Sequence, residues 1–187
     1  KDAFFAARVF LNQLMEADPA LRYCSVNWNY MPPAGSSLVH PHLQVNCGET
    51  ATNEMRRQID ACRDYQEQNG IHFWHDFMAE EVREDSRFIG EVGSSFWSLS
   101  FVPWSYLPDV TFLLKHQASY ASLPEGEILD FLEGLSRILR YFHRQNVYSL
   151  NMSLFSAKEA EGFWLNGRIS PRLLTRAIGN SDQTYLQ

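Results

Sequence analysis

Apolar and polar residues alternate with a period of two in three separate stretches of the chain, and with a period near 3.6 in several others. From Tyr23 to Tyr30, Cys24, Val26, Trp28 and Tyr30 fall on one side and Ser25, Asn27 and Asn29 on the other, which predicts a strand with a polar face. Val39-His40-Pro41-His42-Leu43-Gln44-Val45 alternates in the same way, predicting a strand that reaches about Asn46. On such a strand two imidazoles and a carboxamide project from one face, about 6–7 Å apart. Phe163 to Ser170 alternates a third time, and Pro171 is expected to end it.

The helical periods are as distinct. Phe5, Val9, Phe10 and Leu14 share a face over Asp2 to Glu16, with Asp2 as the expected N-cap. Thr52 to Asn69 is charged and helical, with Gly70 placed to cap it. Ile128, Phe131, Leu132, Leu135, Ile138, Leu139 and Phe142 make a continuous apolar stripe over Glu125 to Gln145. Residues 71–86 read as a connector holding a short helix, 87–101 as one or two strands, and 110–114 and 147–155 as strands. The tail from Gly179 is polar.

One order recurs at an offset of about 126 residues: helix, strand, loop, polar-faced strand. His40, His42 and Gln44 then fall on Asn166, Arg168 and Ser170. The expected fold class is α+β, an antiparallel sheet with packed helices in two tandem units. Residues 1–70 form the first, 71–86 a connector, and 87–187 a second, degenerate unit. The first unit lacks the strands that precede the helix of the second, so it is read as shortened at its N-terminus; residue 1 is Lys, not Met.

Composition narrows the class of function. The 187 residues are 45% apolar, 14% aromatic and 20% charged, as expected of a globular chain with a core. Net charge is −6 with no long basic run, which argues against a nucleic-acid footprint. A local nest of donors can still hold a small anion. The cysteines, Cys24, Cys47 and Cys62, are odd in number and lack C-x-x-C spacing. That argues against a disulfide framework and for a reducing compartment; Cys24 and Cys47 read as buried small hydrophobes. No apolar run approaches the ~20 residues of a membrane span, and no signal segment is visible, so the chain is read as soluble and cytoplasmic.

His40-x-His42-x-Gln44 carries the chemistry. A neutral imidazole can attack phosphorus and hold the transferred group covalently. A polar side chain two residues on can donate to the phosphate oxygens as charge moves onto them. Pro32-Pro33-Ala34-Gly35-Ser36-Ser37, just upstream, is a turn-forming run with hydroxyls. With Glu49, the two histidines also approach a cupin metal motif, against which the long helices and Gln44 count. His72, His75, Asp76, Glu80 and Glu81 read as a solvated helix face, and Lys115-His116 as chance placement.

Asn29-Tyr30-Met31-Pro32-Pro33-Ala34-Gly35-Ser36-Ser37-Leu38-Val39-His40-Pro41-His42-Leu43-Gln44 resembles the signature of the galactose-1-phosphate uridylyltransferase family, the transferase branch of the histidine-triad superfamily. The resemblance implies that His42 is a nucleophile toward the α-phosphate of a nucleotide sugar, giving a nucleotidyl-histidine that a sugar phosphate then accepts. It implies that Gln44 hydrogen-bonds the phosphate, that Gly35, Ser36 and Ser37 form the phosphate loop, and that Asn29 helps hold the nucleotide. His40 matches a structural zinc ligand whose partners lie upstream of the motif. Gly162 to Pro171 resembles the family's second H-x-H strand with Asn166 and Arg168 in place of both histidines. Ser153 stands where a further metal-binding histidine is often found, so a second metal site is not expected. Arg168 is kept as a cation for a phosphate or carboxylate, against the plainer reading of a surface arginine. A homodimer is implied as well. A phosphorolytic or hydrolytic enzyme on the same scaffold, and a non-catalytic nucleotide-binding relic, are the alternatives.

Overall fold

The computed structural model describes residues 1–104 and 106–173. Helix α1 (Asp2–Ala17) leads into strand β1 (Tyr23–Tyr30). A 3₁₀ turn (Pro32–Ala34) follows, then β2 (Gln44–Gly48), α2 (Asn53–Asn69), α3 (Phe73–Glu84) and the hairpin β3 (Phe88–Val92) and β4 (Ser95–Leu99). Next come β5 (Val110–Leu114), α4 (Glu125–Arg144), β6 (Leu150–Ala157) and β7 (Asn166–Pro171). The strands form one antiparallel sheet in the order β2-β1-β6-β7-β5-β4-β3. The fold class is α+β.

The apolar stripes dictate the layers. Phe4, Leu11 and Met15 of α1 and Phe131, Leu135 and Ile138 of α4 bury against the sheet side chains Val26, Met152, Leu154, Ile169, Phe112 and Trp97. These helices therefore cover one face of the sheet. Thr52 caps α2, accepting from the Met55 N–H at 3.3 Å, and Gly70 ends it in the left-handed region, φ 68°. Helices α2 and α3 pack on part of the opposite face, through Met55 near Phe155 and through Phe77 near Phe96.

Directly opposed residues of an antiparallel ladder project from the same face. The register places Gln44 opposite Asn27, Asn27 opposite Ser153, Ser153 opposite Arg168, Arg168 opposite Thr111, and Thr111 opposite Ser98. A row of six polar side chains thus crosses the sheet on the face away from α1 and α4. Beside it, Phe155, Leu113 and Phe96 form the apolar row on which α2 and α3 rest. On the other side Asn29, Asn151 and Ser170 align. Asn27 and Ser153, paired across β1 and β6, are 126 positions apart.

Four expectations are corrected. The histidine strand is shorter than alternation predicts: β2 begins at Gln44, and His40, Pro41 and His42 lie in irregular chain before it. Pro41 has no N–H to give a ladder, and Leu38 and Val39 are exposed, so that part of the alternation buries nothing. Cys24 and Cys47 face each other across β1 and β2, Cα atoms 4.2 Å apart, and form a disulfide; cysteine parity did not exclude a pair plus one. The cysteine count therefore no longer argues for a reducing compartment. Lys1, not Asp2, occupies the N-cap position of α1, and β7 begins at Asn166 rather than Phe163, ending at Pro171 as expected. The polar tail lies outside the described residues. No helix among the described residues is long and apolar enough to cross a membrane.

Candidate functional site

The loop between β1 and β2 is built by conformations that its residues impose. Met31 sits at φ 72°, ψ 159°, a region nearly reserved for glycine and costing a bulky residue about 1–3 kcal/mol. Two prolines then fix a single 3₁₀ turn, and Gly35 closes it at φ 83°. Ser36 is nearly buried and its hydroxyl donates to the Leu38 carbonyl, so it shapes the loop. Ser37 is exposed and carries its hydroxyl at the surface.

His40 and His42 have ring centroids 5.7 Å apart. His42 is half-buried, and its Nδ1 lies 3.2 Å from the His40 carbonyl oxygen. A carbonyl can only accept, so this contact holds Nδ1 as the N–H and leaves the lone pair on Nε2. Gln44 is exposed at the head of β2, at one end of the polar row.

Two groups of hydrogen bonds lie behind the loop. In one, Ser153 Oγ donates to Asn27 Oδ1 at 2.8 Å and Asn27 Nδ2 donates to Ser25 Oγ at 2.9 Å, so both ends of that carboxamide are occupied. In the other, Asn151 Nδ2 donates to Asn29 Oδ1 at 2.6 Å and to the Ala34 carbonyl at 2.8 Å, tying β6 to the 3₁₀ turn. Arg172, buried beyond the end of β7, donates from Nε to Asn151 Oδ1. Ser149 Oγ donates to the Tyr30 carbonyl at 2.9 Å.

Arg168 is not a surface arginine. Its Nη1 lies 2.8 Å from Asp109 Oδ2 and donates to the Val102 carbonyl at 3.2 Å, and its guanidinium stacks 4.2 Å from the Trp104 ring. Asp109 is fully buried and also accepts from the Trp104 N–H. Arg168 therefore anchors the segment before β5. Three strand spacings separate it from Gln44 along the polar row, about 14 Å. The structure does not bring Arg168 to the histidines.

Between the far end of that row and the roof of α2 and α3 is a cavity of about 490 Å³. Ser98, Thr111 and Ser153 line its floor, with Trp74, Phe77 and Trp104 among its walls. Cys62 lies on its α2 side, and burial pushes that thiol up to about 11. The polar cluster around His72 is only partly solvated. Glu81 is buried and bound by Arg87 at 2.6 Å, and Tyr65 donates to Asp76. His72, His75 and His116 gather around Trp164, with centroids 4.8, 4.9 and 4.5 Å from its ring. Burial first, and then its two imidazole neighbours, lower the pKa of His72.

The described residues do not fit a zinc ion. His40 offers one imidazole where zinc takes four ligands, Cys24 and Cys47 are bonded to each other, and no group of three or more His, Cys, Asp or Glu side chains among the described residues could hold a metal.

Sequence reasoning missed Asn151, Asp109 and Arg172. Asn151 had a signal, since Ser149, Asn151 and Ser153 alternate with apolar residues as Ser25, Asn27 and Asn29 do. Arg172, one cation after a proline, had none.

No protein-family model matches the chain. An uncharacterized protein of Archaeoglobus fulgidus is 28% identical over 155 residues, 82% of this chain and 46% of that protein. The galactose-1-phosphate uridylyltransferase of Kluyveromyces lactis is 25% identical over 178 residues, 88% of this chain and 47% of the enzyme. A GalT-like protein from Arabidopsis thaliana has the same fold, with a TM-score of 0.74 at 20% identity, covering 91% of this chain and 57% of that one. The chain resembles the galactose-1-phosphate uridylyltransferase family in sequence and in fold. An ADP-glucose phosphorylase from Arabidopsis thaliana, solved with bound ADP-glucose, shares the galactose-1-phosphate uridylyltransferase-like fold, with a TM-score of 0.74 at 18% identity over 92% of this chain and 56% of that one. The chain spans about half the length of the curated relatives it matches.

Proposed function

We propose that this chain carries the nucleophile of a nucleotidyl-transfer reaction on nucleotide sugars, with His42 forming the covalent intermediate. The observation that carries the reading is the contact of His42 Nδ1 with the His40 carbonyl, which leaves Nε2 as the basic nitrogen. In the first half-reaction Nε2 gives its electron pair to the α-phosphorus of a nucleoside diphosphate sugar. The P–N bond forms, the bond from phosphorus to the bridging oxygen breaks, and sugar 1-phosphate departs with that bond's electrons. In the second, an oxygen of the acceptor attacks the same phosphorus and returns the pair to Nε2. Gln44, Ser37 and the N–H groups around Gly35 are the donors offered to the phosphate oxygens. Similarity to a uridylyltransferase favours a sugar 1-phosphate as acceptor, and similarity in fold to an ADP-glucose phosphorylase makes inorganic phosphate the second candidate.

The test is labelling with nucleotide sugars radiolabelled in the α-phosphate. The expected result is an acid-labile adduct that is absent in His42→Asn and is discharged by galactose 1-phosphate or by phosphate. Equal labelling of His42→Asn refutes the nucleophile. Nucleotide binding without any adduct identifies the non-catalytic binder instead.

A further inference from the structure

We propose that Arg172 is a positioning residue that sets the direction in which Asn29 presents its carboxamide to a bound phosphate. The proposal rests on the reading above that this face holds a nucleotide. It starts from a difference between side chains: a guanidinium has five N–H groups and no acceptor, whereas a carboxamide has one end of each kind and can be turned either way. Arg172 is buried, with 2% exposure, and its backbone N–H is held 2.8 Å from the Ser149 carbonyl. Its Nε donates to Asn151. Only the oxygen of Asn151 can meet that donor, so Oδ1 faces Arg172 and both Nδ2 hydrogens face the other way.

Those hydrogens meet two oxygens, the Ala34 carbonyl at 2.8 Å and Asn29 Oδ1 at 2.6 Å. The carbonyl is a pure acceptor and demands the same orientation independently. Asn29 therefore has its oxygen engaged from behind, and its Nδ2 has no hydrogen-bond partner among the described residues. The direction of donation runs from a cation through two amides and ends in an N–H pair on the polar face, beside the loop of Gly35 and Ser37. Reversed, Asn29 would turn lone pairs toward the phosphate oxygens. Burial of the cation strengthens each step of the series.

The experiment is a double-mutant cycle on the full chain, with UDP-glucose as the probe in calorimetric titrations. Asn29→Asp keeps an oxygen for Asn151 and replaces the outward donor by a second oxygen; binding is expected to weaken about tenfold or more. Arg172→Met removes one of the two groups that fix the direction of Asn151, and through it Asn29, leaving the Ala34 carbonyl alone to hold it, and is expected to weaken binding about fivefold, whereas Arg172→Lys, also donor-only, stays within about threefold. The double variant is expected to bind within about twofold of Asn29→Asp alone, because Arg172 acts through Asn29. Losses that multiply, or Arg172→Met binding like the wild type while Asn29→Asp is impaired, overturn the inference and leave the nucleotide reading intact. Unimpaired binding by Asn29→Asp, or no binding by the wild type, overturns the nucleotide reading. The inference is then judged on the ligand-free chain, where the Asn29 side-chain NH₂ resonances, assigned by their loss in Asn29→Asp, are expected to shift or broaden in Arg172→Met. Unchanged resonances overturn it. Should Arg172→Met not fold, Arg172→Gln, which can turn an oxygen toward Asn151, takes its place with the same expected outcomes.

Discussion

Replacing Arg168 by Met removes the cation that faces a fully buried carboxylate, Asp109, while keeping a side chain of similar length. Breaking a buried ion pair from one side costs about 3–5 kcal/mol. Two observations reduce that figure: Arg168 is 20% exposed and therefore partly screened, and the Trp104 N–H still donates to Asp109. Losing the guanidinium stack on Trp104 adds about 0.5–1 kcal/mol. The net expectation is a loss of about 3 kcal/mol, which for a chain of this size lowers the thermal midpoint by about 6–12 °C. Calorimetry and urea titration measure it. Pairing the change with Asp109→Asn should recover part of the loss, since the buried side chain then carries no charge. UDP-glucose affinity should change by less than about threefold, because the guanidinium is engaged by Asp109 and Val102. A midpoint that moves by less than about 2 °C while affinity falls about tenfold would refute the structural reading and return Arg168 to the ligand.

Gly134→Ala sets two effects against each other. Alanine gains about 1 kcal/mol of helix propensity, but the new methyl would lie 2.4 Å from the Trp97 indole, which is 2% exposed, stacked on Phe131 and bonded to Ser95. Overpacking wins, and urea titration should read a net loss of about 1–2 kcal/mol. His72 holds its proton less readily in the fold than in the unfolded chain. Its contribution to stability is therefore intact above its ordinary value and is lost as the pH falls through about 6.5 and below. Thermal midpoints from pH 7.5 to 5.5 should fall less steeply in His72→Phe than in the wild type; equal slopes would contradict this. Cys62, pushed up to about 11, should be roughly a thousandth thiolate at pH 8 and react far more slowly with a disulfide reagent than an unfolded control.

The elements that bury a continuous stripe were legible in advance. Helices α1, α2 and α4 and strand β1 lie within a residue or two of the positions their periodicity predicts, because each places its apolar residues on one surface. Alternation misled at Val39–His42, where the pattern has the right period but Leu38 and Val39 face water. Local pattern carries no knowledge of which face is covered. The Cys24–Cys47 pair and the Arg168–Asp109 pair join residues 23 and 59 positions apart, and only strand register brings them together. Of the candidate site, Asn29, Gly35, Ser36, Ser37, His42 and Gln44 were found through the loop and the resemblance that it carries. Asn151 and Arg172 were not, because a residue that acts by orienting another leaves no motif of its own.

The row from Gln44 to Ser98 also bears on how such a chain can change over time. Its six side chains project away from the main core between α1, α4 and the sheet, so exchanging one polar group for another there disturbs little of what holds that core together. New chemistry can be tried along that track at small folding cost, and two lineages can share a scaffold while diverging in what they recognise on it. Arg168 marks the limit of that freedom: once a cation on the track took a buried carboxylate as its partner, its position became part of the scaffold rather than part of the repertoire.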